Sequence, residues 1–411
     1  MILLLAVFLY GNSWLYGQPV LKGLVLDKNS RQPVISATVY INGTTKCVST
    51  DRFGCFTIEK ASPPFQLVIS HLSYEPLIRT IDSIGTGPLT LLMQEKVRQL
   101  SEVTVKGKDR SNRHAYIQAF KDEFLGTDDW GNHAILRNDS DLILKIETDS
   151  DQTNPNFRYI NRAGNGSFDE QYAQWEKDQR HKGANTVLSV SAKAPLIVEL
   201  PLLGYTVFIQ LEYFKLKKND DQKRYITYYG YYYFKPYETN SRKDQEKIER
   251  NREKAYYNSS MHFCRSLYND SLKQNGYLTV RMAYDDSTKR VKQRFNDILL
   301  FRDKKDTTQL RFKDLKDGSF SIYYFNDANG KPLNLADIDS KNSRSLSAIS
   351  RWFNYIKSAS QVSTSAITFL KDSCLIRRDG TIPENGCIKF SGQIAVKGVG
   401  AILPADYKPQ R

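Results

Sequence analysis

Short apolar segments, rich in Val, Ile and Phe, alternate with polar turns from residue 20 onward. They lie at 20–26, 34–41, 45–50, 55–59, 65–71, 77–81, 89–93 and 103–106. Turn signals separate them: Asp27-Lys28-Asn29-Ser30, Asn42-Gly43, Asp51-Arg52-Phe53-Gly54 and Ser62-Pro63-Pro64. Such close spacing predicts an antiparallel β-sandwich. Side chains alternate faces along a strand. With Thr50 opposite Cys55 across the turn at 51–54, Phe56, Ile58 and Cys47 point inward. Val48, Cys55 and Thr57 then point outward, and Cys47 and Cys55 are predicted to stay unbridged.

A polar stretch at 107–113 reads as a linker between residues 18–106 and a larger α+β region at 114–411. That region opens with Tyr116, Ile117, Phe120, Phe124 and Leu125 at helical spacing. Gly126 stands where a helix would end. Strands are predicted at 142–146, 187–190, 196–200 and 205–216, and the Asn/Asp/Gln-rich residues 149–182 read as an exposed insertion. Residues 225–237 carry aromatic rings on both parities. This fits a central strand covered on both sides, with hydroxyls reaching its edge. The functional alternative is a stacking platform for sugar rings or peptides, with Tyr229, Tyr231 and Tyr233 as the candidate ligand residues. Mixed charges three and four residues apart at 241–254 mark a solvated helix face. A second amphipathic stretch, 256–272, places Met261, Cys264, Leu267 and Tyr268 on one side.

The N-terminus changes the compartment. Met1 to Tyr10 reads MILLLAVFLY, then Gly-Asn-Ser-Trp-Leu-Tyr-Gly-Gln. A membrane span needs about 20 apolar residues, so residues 1–17 read as a secretory signal peptide, although no Lys or Arg precedes the apolar run. The expectation is an exported chain, periplasmic or outer-membrane associated, with no transmembrane segment once mature. Five cysteines leave at least one unpaired, and no C-x-x-C occurs. Cys374 and Cys387 flank the turn signal Arg377-Arg378-Asp379-Gly380 and could meet across a hairpin. An apolar share of 40% and a charged share of 25% exclude a disordered or collagen-like chain. The net charge of +14 is dispersed. In an exported chain it suits an anionic glycan or other envelope partner better than nucleic acid.

A family resemblance rests on ordered blocks. Lys22-Gly23-Leu24-Val25-Leu26-Asp27 is followed by Pro33-Val34-Ile35-Ser36-Ala37-Thr38-Val39-Tyr40-Ile41 and Asn42-Gly43-Thr44. Then comes Ser49-Thr50-Asp51-Arg52-Phe53-Gly54-Cys55-Phe56-Thr57-Ile58. Together they resemble the carboxypeptidase-regulatory-like domain. Leu100-Ser101-Glu102-Val103-Thr104-Val105 resembles its exit strand, while Ser73-Tyr74 stands where the family usually has Gly-Tyr. The resemblance implies a seven-stranded, transthyretin-like β-sandwich, common in cell-envelope proteins of Bacteroidota-type bacteria, including extensions of TonB-dependent receptors. Three further blocks resemble a C-terminal region of unknown function often fused to that sandwich. They are Ala119-Phe120-Lys121-Asp122-Glu123-Phe124-Leu125-Gly126, the stretch from Arg252-Glu253-Lys254-Ala255-Tyr256 to His262-Phe263-Cys264-Arg265-Ser266-Leu267, and Leu403-Pro404-Ala405-Asp406-Tyr407. Asn258 replaces the family's Gly, so the turn there is expected to differ. The resemblance brings no catalytic residues.

Zinc peptidase ligands need H-x-x-E or H-E-x-x-H, and none of His71, His114, His133, His181 and His262 supplies it. No G-x-S-x-G occurs. His262 and Cys264, two apart on a helix, diverge and cannot act as a dyad. The pairs Asp128-Asp129, Asp220-Asp221 and Asp285-Asp286 lack a calcium-loop order. No catalytic, cofactor or metal residue is assigned. The expected function is non-catalytic binding or scaffolding in the cell envelope. The alternatives are a glycan-binding accessory to TonB-dependent uptake and a hydrolase of unrecognised type.

Overall fold

The computed structural model describes residues 19–96, 110–149, 185–218, 224–239, 241–285, 290–295, 298, 302–303, 309–313, 319–335, 361–383 and 386–410. The predicted signal peptide, the exit strand at 103–106 and nearly all of the 149–182 insertion lie outside these residues. The chain divides into two compact units, Met1–Glu102 and Val103–Arg411.

The first unit holds β1 (Leu21–Asp27), β2 (Thr38–Ile41), β3 (Cys47–Ser49), β4 (Cys55–Ile58), β5 (Phe65–His71), β6 (Tyr74–Ile81) and β7 (Leu89–Met93). They form two sheets, β4-β1-β7 and β3-β2-β5-β6. Inward alternate positions fill the space between them: Leu21 and Val25 of β1, Val39 of β2, Phe56 and Ile58 of β4, Leu67 and Ile69 of β5. The expected register at 51–54 is corrected. β3 pairs with β2 and β4 with β1, so this turn carries the chain from one sheet to the other. Val48 lies opposite Val39 and packs on the core, whereas Cys47 lies opposite Tyr40. Phe56 and Ile58 are buried and Cys55 is exposed, as alternation required. Cys47 and Cys55 are not disulfide-bonded.

The second unit is α+β. Its strands are β8 (Ile135–Leu136), β9 (Leu142–Asp149), β10 (Asn185–Ala192), β11 (Leu196–Leu200), β12 (Tyr205–Lys218), β13 (Arg224–Pro236) and β14 (Tyr277–Asp285). They continue with β15 (Arg290–Phe295), β16 (Arg302–Asp303), β17 (Gln309–Lys313), β18 (Ser319–Asn326), β19 (Gln361–Phe369), β20 (Ser373–Arg377) and β21 (Ile388–Gly392). The helices are α1 (Arg110–Leu125), α2 (Asp129–His133), α3 (Arg242–Tyr256), α4 (Ser260–Tyr268) and α5 (Gln393–Val396). No Gly or Pro stops α1 from starting inside the stretch read as a linker. No described helix is long and apolar enough to cross a membrane.

One sheet runs β8-β11-β12-β10-β9, with β13 along the other side of β12. Its inner face packs on Phe120, Phe124 and Leu125 of α1 and on Val399, Leu403 and Tyr407 of the C-terminal tail. A second sheet, β15-β14-β18-β19-β21, and a third, β16-β17-β20, enclose another core with Phe263, Cys264 and Leu267 of α4. Cys374 and Cys387 are bonded, with Cα atoms 5.6 Å apart. They do not meet across a hairpin: Cys374 belongs to β20 of the third sheet, and Cys387 precedes β21 of the second.

Candidate functional site

Alternation along β12 and β13 sorts the aromatic rings into two sets. Val207, Ile209, Leu211 and Phe214 face the core, joined by Phe234 and Tyr232 of β13. Tyr229, Tyr231 and Tyr233 point the other way, opposite Tyr213, Gln210 and Phe208 respectively. The register shifts between Leu211 and Tyr213. This bulge re-phases β12, so Tyr213 joins the outer set while Phe214 enters the core. Gly230 sits beside it, where a Cβ would stand 2.5 Å from the Gln210 carbonyl oxygen.

The structure brings the three candidate tyrosines onto one face. Tyr233 stacks on Phe208 with centroids 4.9 Å apart and planes 7° from parallel, and is buried there. Tyr229 meets Tyr231 edge-on at 5.2 Å and Tyr213 at 6.3 Å. Burial and the hydrogen bond with Tyr231 push the Tyr229 phenol upward. Lys235 Nζ lies 5.2 Å from the Phe208 centroid. Tyr229 and Tyr231 are half-buried and Tyr213 is exposed. Among the described residues β13 pairs only with β12, so it is an edge strand rather than the expected central one. Sequence reasoning missed Phe208, because cross-strand pairing carries no local signal, and Tyr213, because a bulge leaves no signature in alternation alone.

The motif blocks of the second unit converge elsewhere. Arg252 donates from Nε to the Leu203 carbonyl at 2.8 Å and lies over the Tyr205 ring at 4.1 Å. Asn258 joins α3 to α4 with φ 56°. This is a left-handed conformation, which Asn tolerates. Ser259 caps α4 by accepting from the His262 N–H. Arg265 donates to three carbonyls, Asp379, Ala405 and Tyr407, each at 2.9 Å. Lys397 Nζ donates to the Tyr257 carbonyl at 2.7 Å, satisfying the end of α3, and burial lowers its pKa to about 8. A Cβ at Gly400 would stand 2.7 Å from the Leu125 oxygen, so the tail crosses α1 backbone to backbone. These residue types are spent on joining helices, sheet and tail.

His262 is the buried centre of that joint. Its ring lies 4.9 Å from Tyr256, 5.1 Å from Tyr277 and 5.4 Å from Tyr257. Nδ1 is 2.9 Å from the Tyr277 hydroxyl. Burial pushes its pKa down to about 3, with Lys397 and Arg265 adding to the effect. In an unfolded chain the value is about 6.5. The unfolded state therefore binds a proton that the folded state refuses, so His262's contribution is full above about pH 6.5 and is lost as pH falls towards 3. Acid titration of the unfolding free energy should show a loss on the order of 5 kcal/mol across that window. His262→Phe should flatten this slope, and an unchanged slope would contradict the assignment.

Little here supports bond-breaking chemistry. Burial pushes the Cys264 thiol up to about 12, away from the reactive thiolate. Asp128 caps α2 by accepting from the Gly131 N–H at 2.9 Å, and its neighbour Asp129 pairs with His133. No group of three His, Cys, Asp or Glu among the described residues is placed to hold a metal ion.

Residues 21–105 match the family model of the CarboxypepD_reg-like domain. No curated protein matches the chain. Among solved structures, a protein of unknown function from Bacteroides fragilis, described as membrane-associated, matches at 12% identity. The match covers 53% of this chain and 98% of that one, at a TM-score of 0.16, which does not establish a shared fold.

Proposed function

We propose that this chain, whose residues 21–105 are a CarboxypepD_reg-like domain, is a non-catalytic binding protein of the bacterial cell envelope. The domain is regulatory-like rather than a peptidase, and the motif residues of the second unit are occupied in packing. The Cys374–Cys387 bond suits an oxidising compartment, which supports export.

The ligand face is the outer side of β12 and β13, and the row of Tyr213, Tyr229 and Tyr231 beside the Phe208–Tyr233 stack carries this reading. Sugar rings present apolar C–H faces that stack on aromatic side chains, while phenol hydroxyls meet their polar rims. Lys235 and Lys215, both exposed, lie towards opposite ends of the row, and the exposed Glu212 carboxylate stands near Tyr229 between them, so the face offers both a cation and an acceptor to the polar rim of a glycan. A glycan array probed with the full chain should give binders, and Tyr229→Ala/Tyr231→Ala should remove them while the second unit, which carries both residues, still unfolds cooperatively. Binding that survives both substitutions would place the ligand elsewhere.

A further inference from the structure

The six-stranded sheet of the second unit ends on a long open strand. β13 runs for 13 residues, and among the described residues it pairs only with β12. An open edge invites pairing with another strand, and proteins blunt it with charge, proline or brevity. The other edges among the described residues follow this rule. β3, β4, β7, β8, β16, β20 and β21 have five residues or fewer. β6 contains Pro76, β9 carries Lys145 and Glu147, and β15 carries Arg290 and Lys292. β13 breaks the rule: no charge and no proline lies between Tyr225 and Phe234.

Its sequence is close to its own complement. Tyr228-Tyr229-Gly230-Tyr231-Tyr232 reads the same in both directions. A two-fold interface uses the same patch on both copies, so that patch must complement itself. When two copies of β13 pair antiparallel about an axis at Gly230, each residue before Gly230 faces the residue equally far beyond it. Tyr228 then meets Tyr232 of the second copy, Tyr229 meets Tyr231, and Ile226 meets Phe234. Aromatic–aromatic and aromatic–β-branched pairs of this kind stabilise a sheet. Arg224 and Lys235 fall opposite Pro236 and Tyr225, so no like charges come face to face.

The edge is open to such a partner. Tyr228 is 47% exposed and Ile226 39%. Residues 226–234 in this register form about ten backbone hydrogen bonds, as many as a standard interface carries. A strand from an unrelated protein would require no palindrome, whereas a second copy does. Directly opposite residues share a face of the sheet. Tyr229 and Tyr231 of both copies therefore lie together on the outer side.

We propose that β13 pairs antiparallel with β13 of a second copy about Gly230, joining two sheets into one and two outer tyrosine rows into one ring face. The proposal rests on the strand edge and its sequence, not on any ligand, and its test contains no saccharide. It therefore stands or falls apart from the glycan reading. Sedimentation equilibrium of the full chain should give twice the chain mass. Tyr229→Lys/Tyr231→Lys sets like charges opposite each other twice across the axis, and Tyr229→Glu/Tyr231→Lys sets opposite charges there. Both positions are half-buried on the outer side, so both variants keep the core. The first variant should dimerise roughly 30-fold more weakly than the second, about five-fold for each of the two symmetry-related pairs. Register is read from Tyr229→Cys and Tyr231→Cys chains under oxidation. Directly opposite Cα atoms lie about 5 Å apart, within disulfide reach, and diagonal ones lie beyond about 7 Å. Peptide mapping of the mixture should recover a bond between positions 229 and 231, and neither variant alone should bridge to its own copy there. A monomeric intact chain, equal association of the two charge variants, or no bond between positions 229 and 231 would overturn the proposal.

Discussion

Arg265→Met should lower the stability of the second unit by about 4.5 kcal/mol, because three charge-assisted hydrogen bonds are lost at roughly 1.5 kcal/mol each. The guanidinium reaches the Asp379, Ala405 and Tyr407 carbonyls from three different nitrogens. Only a planar fork on a long stem can do this, so Arg265→Lys should recover one bond and no more. Met keeps an apolar stem but also removes the guanidinium from over the Tyr256 ring, 5.4 Å from its centroid. The loss therefore reports the guanidinium rather than a cavity. Urea denaturation measures it, and limited proteolysis should clip the released tail around Ala405 and Tyr407 in the variant first. A cost below about 1 kcal/mol would mean that the tail is anchored by Leu403 and Tyr407 packing alone.

Breaking the Cys374–Cys387 bond should cost somewhat less. The two residues are 13 apart in sequence, and closing a loop of about 15 residues in the unfolded chain is worth about 3 kcal/mol. Both sulfurs lie in the core formed by the second and third sheets, beside Phe312, Phe369 and Ile376. The bond therefore links strands that pair with different partners, and no backbone ladder replaces it. Cys374→Ala/Cys387→Ala, or denaturation in the presence of reductant, should lower the denaturant midpoint accordingly. Non-reducing peptide mapping should recover this pair, with Cys47 and Cys55 unbridged. Identical midpoints with and without reductant would contradict the prediction.

The strands were readable in the sequence because burial alternates with a period of two, and this is a local property. Pairing is not local. The turn at 51–54 looks like a hairpin, with Asp at one end and Gly at the other, yet it spans two sheets. Nothing in Cys47-Val48-Ser49 distinguishes β2 from β4 as the neighbour, and that choice decided whether Cys47 or Val48 faces inward. Likewise, rings on both parities of β13 correctly implied contacts on both faces but said nothing about which side of the sheet it borders. The Arg252 to Leu267 block was visible as a motif. Its purpose was not, because its partners are carbonyls of residues 203, 379, 405 and 407, and carbonyls carry no side-chain signature.

On the proposed function, the outer ring face of β12 and β13 binds a glycan without transforming it. Calorimetric titration of the full chain with a saccharide selected on the array, followed by mass spectrometry of the recovered ligand, tests both halves at once. Binding should be saturable, should drop at least about 30-fold in Tyr229→Ala/Tyr231→Ala from two lost ring contacts of roughly 1 kcal/mol or more each, and should return the ligand with its mass unchanged. An unaffected affinity in the double variant, or a cleaved saccharide, would contradict it.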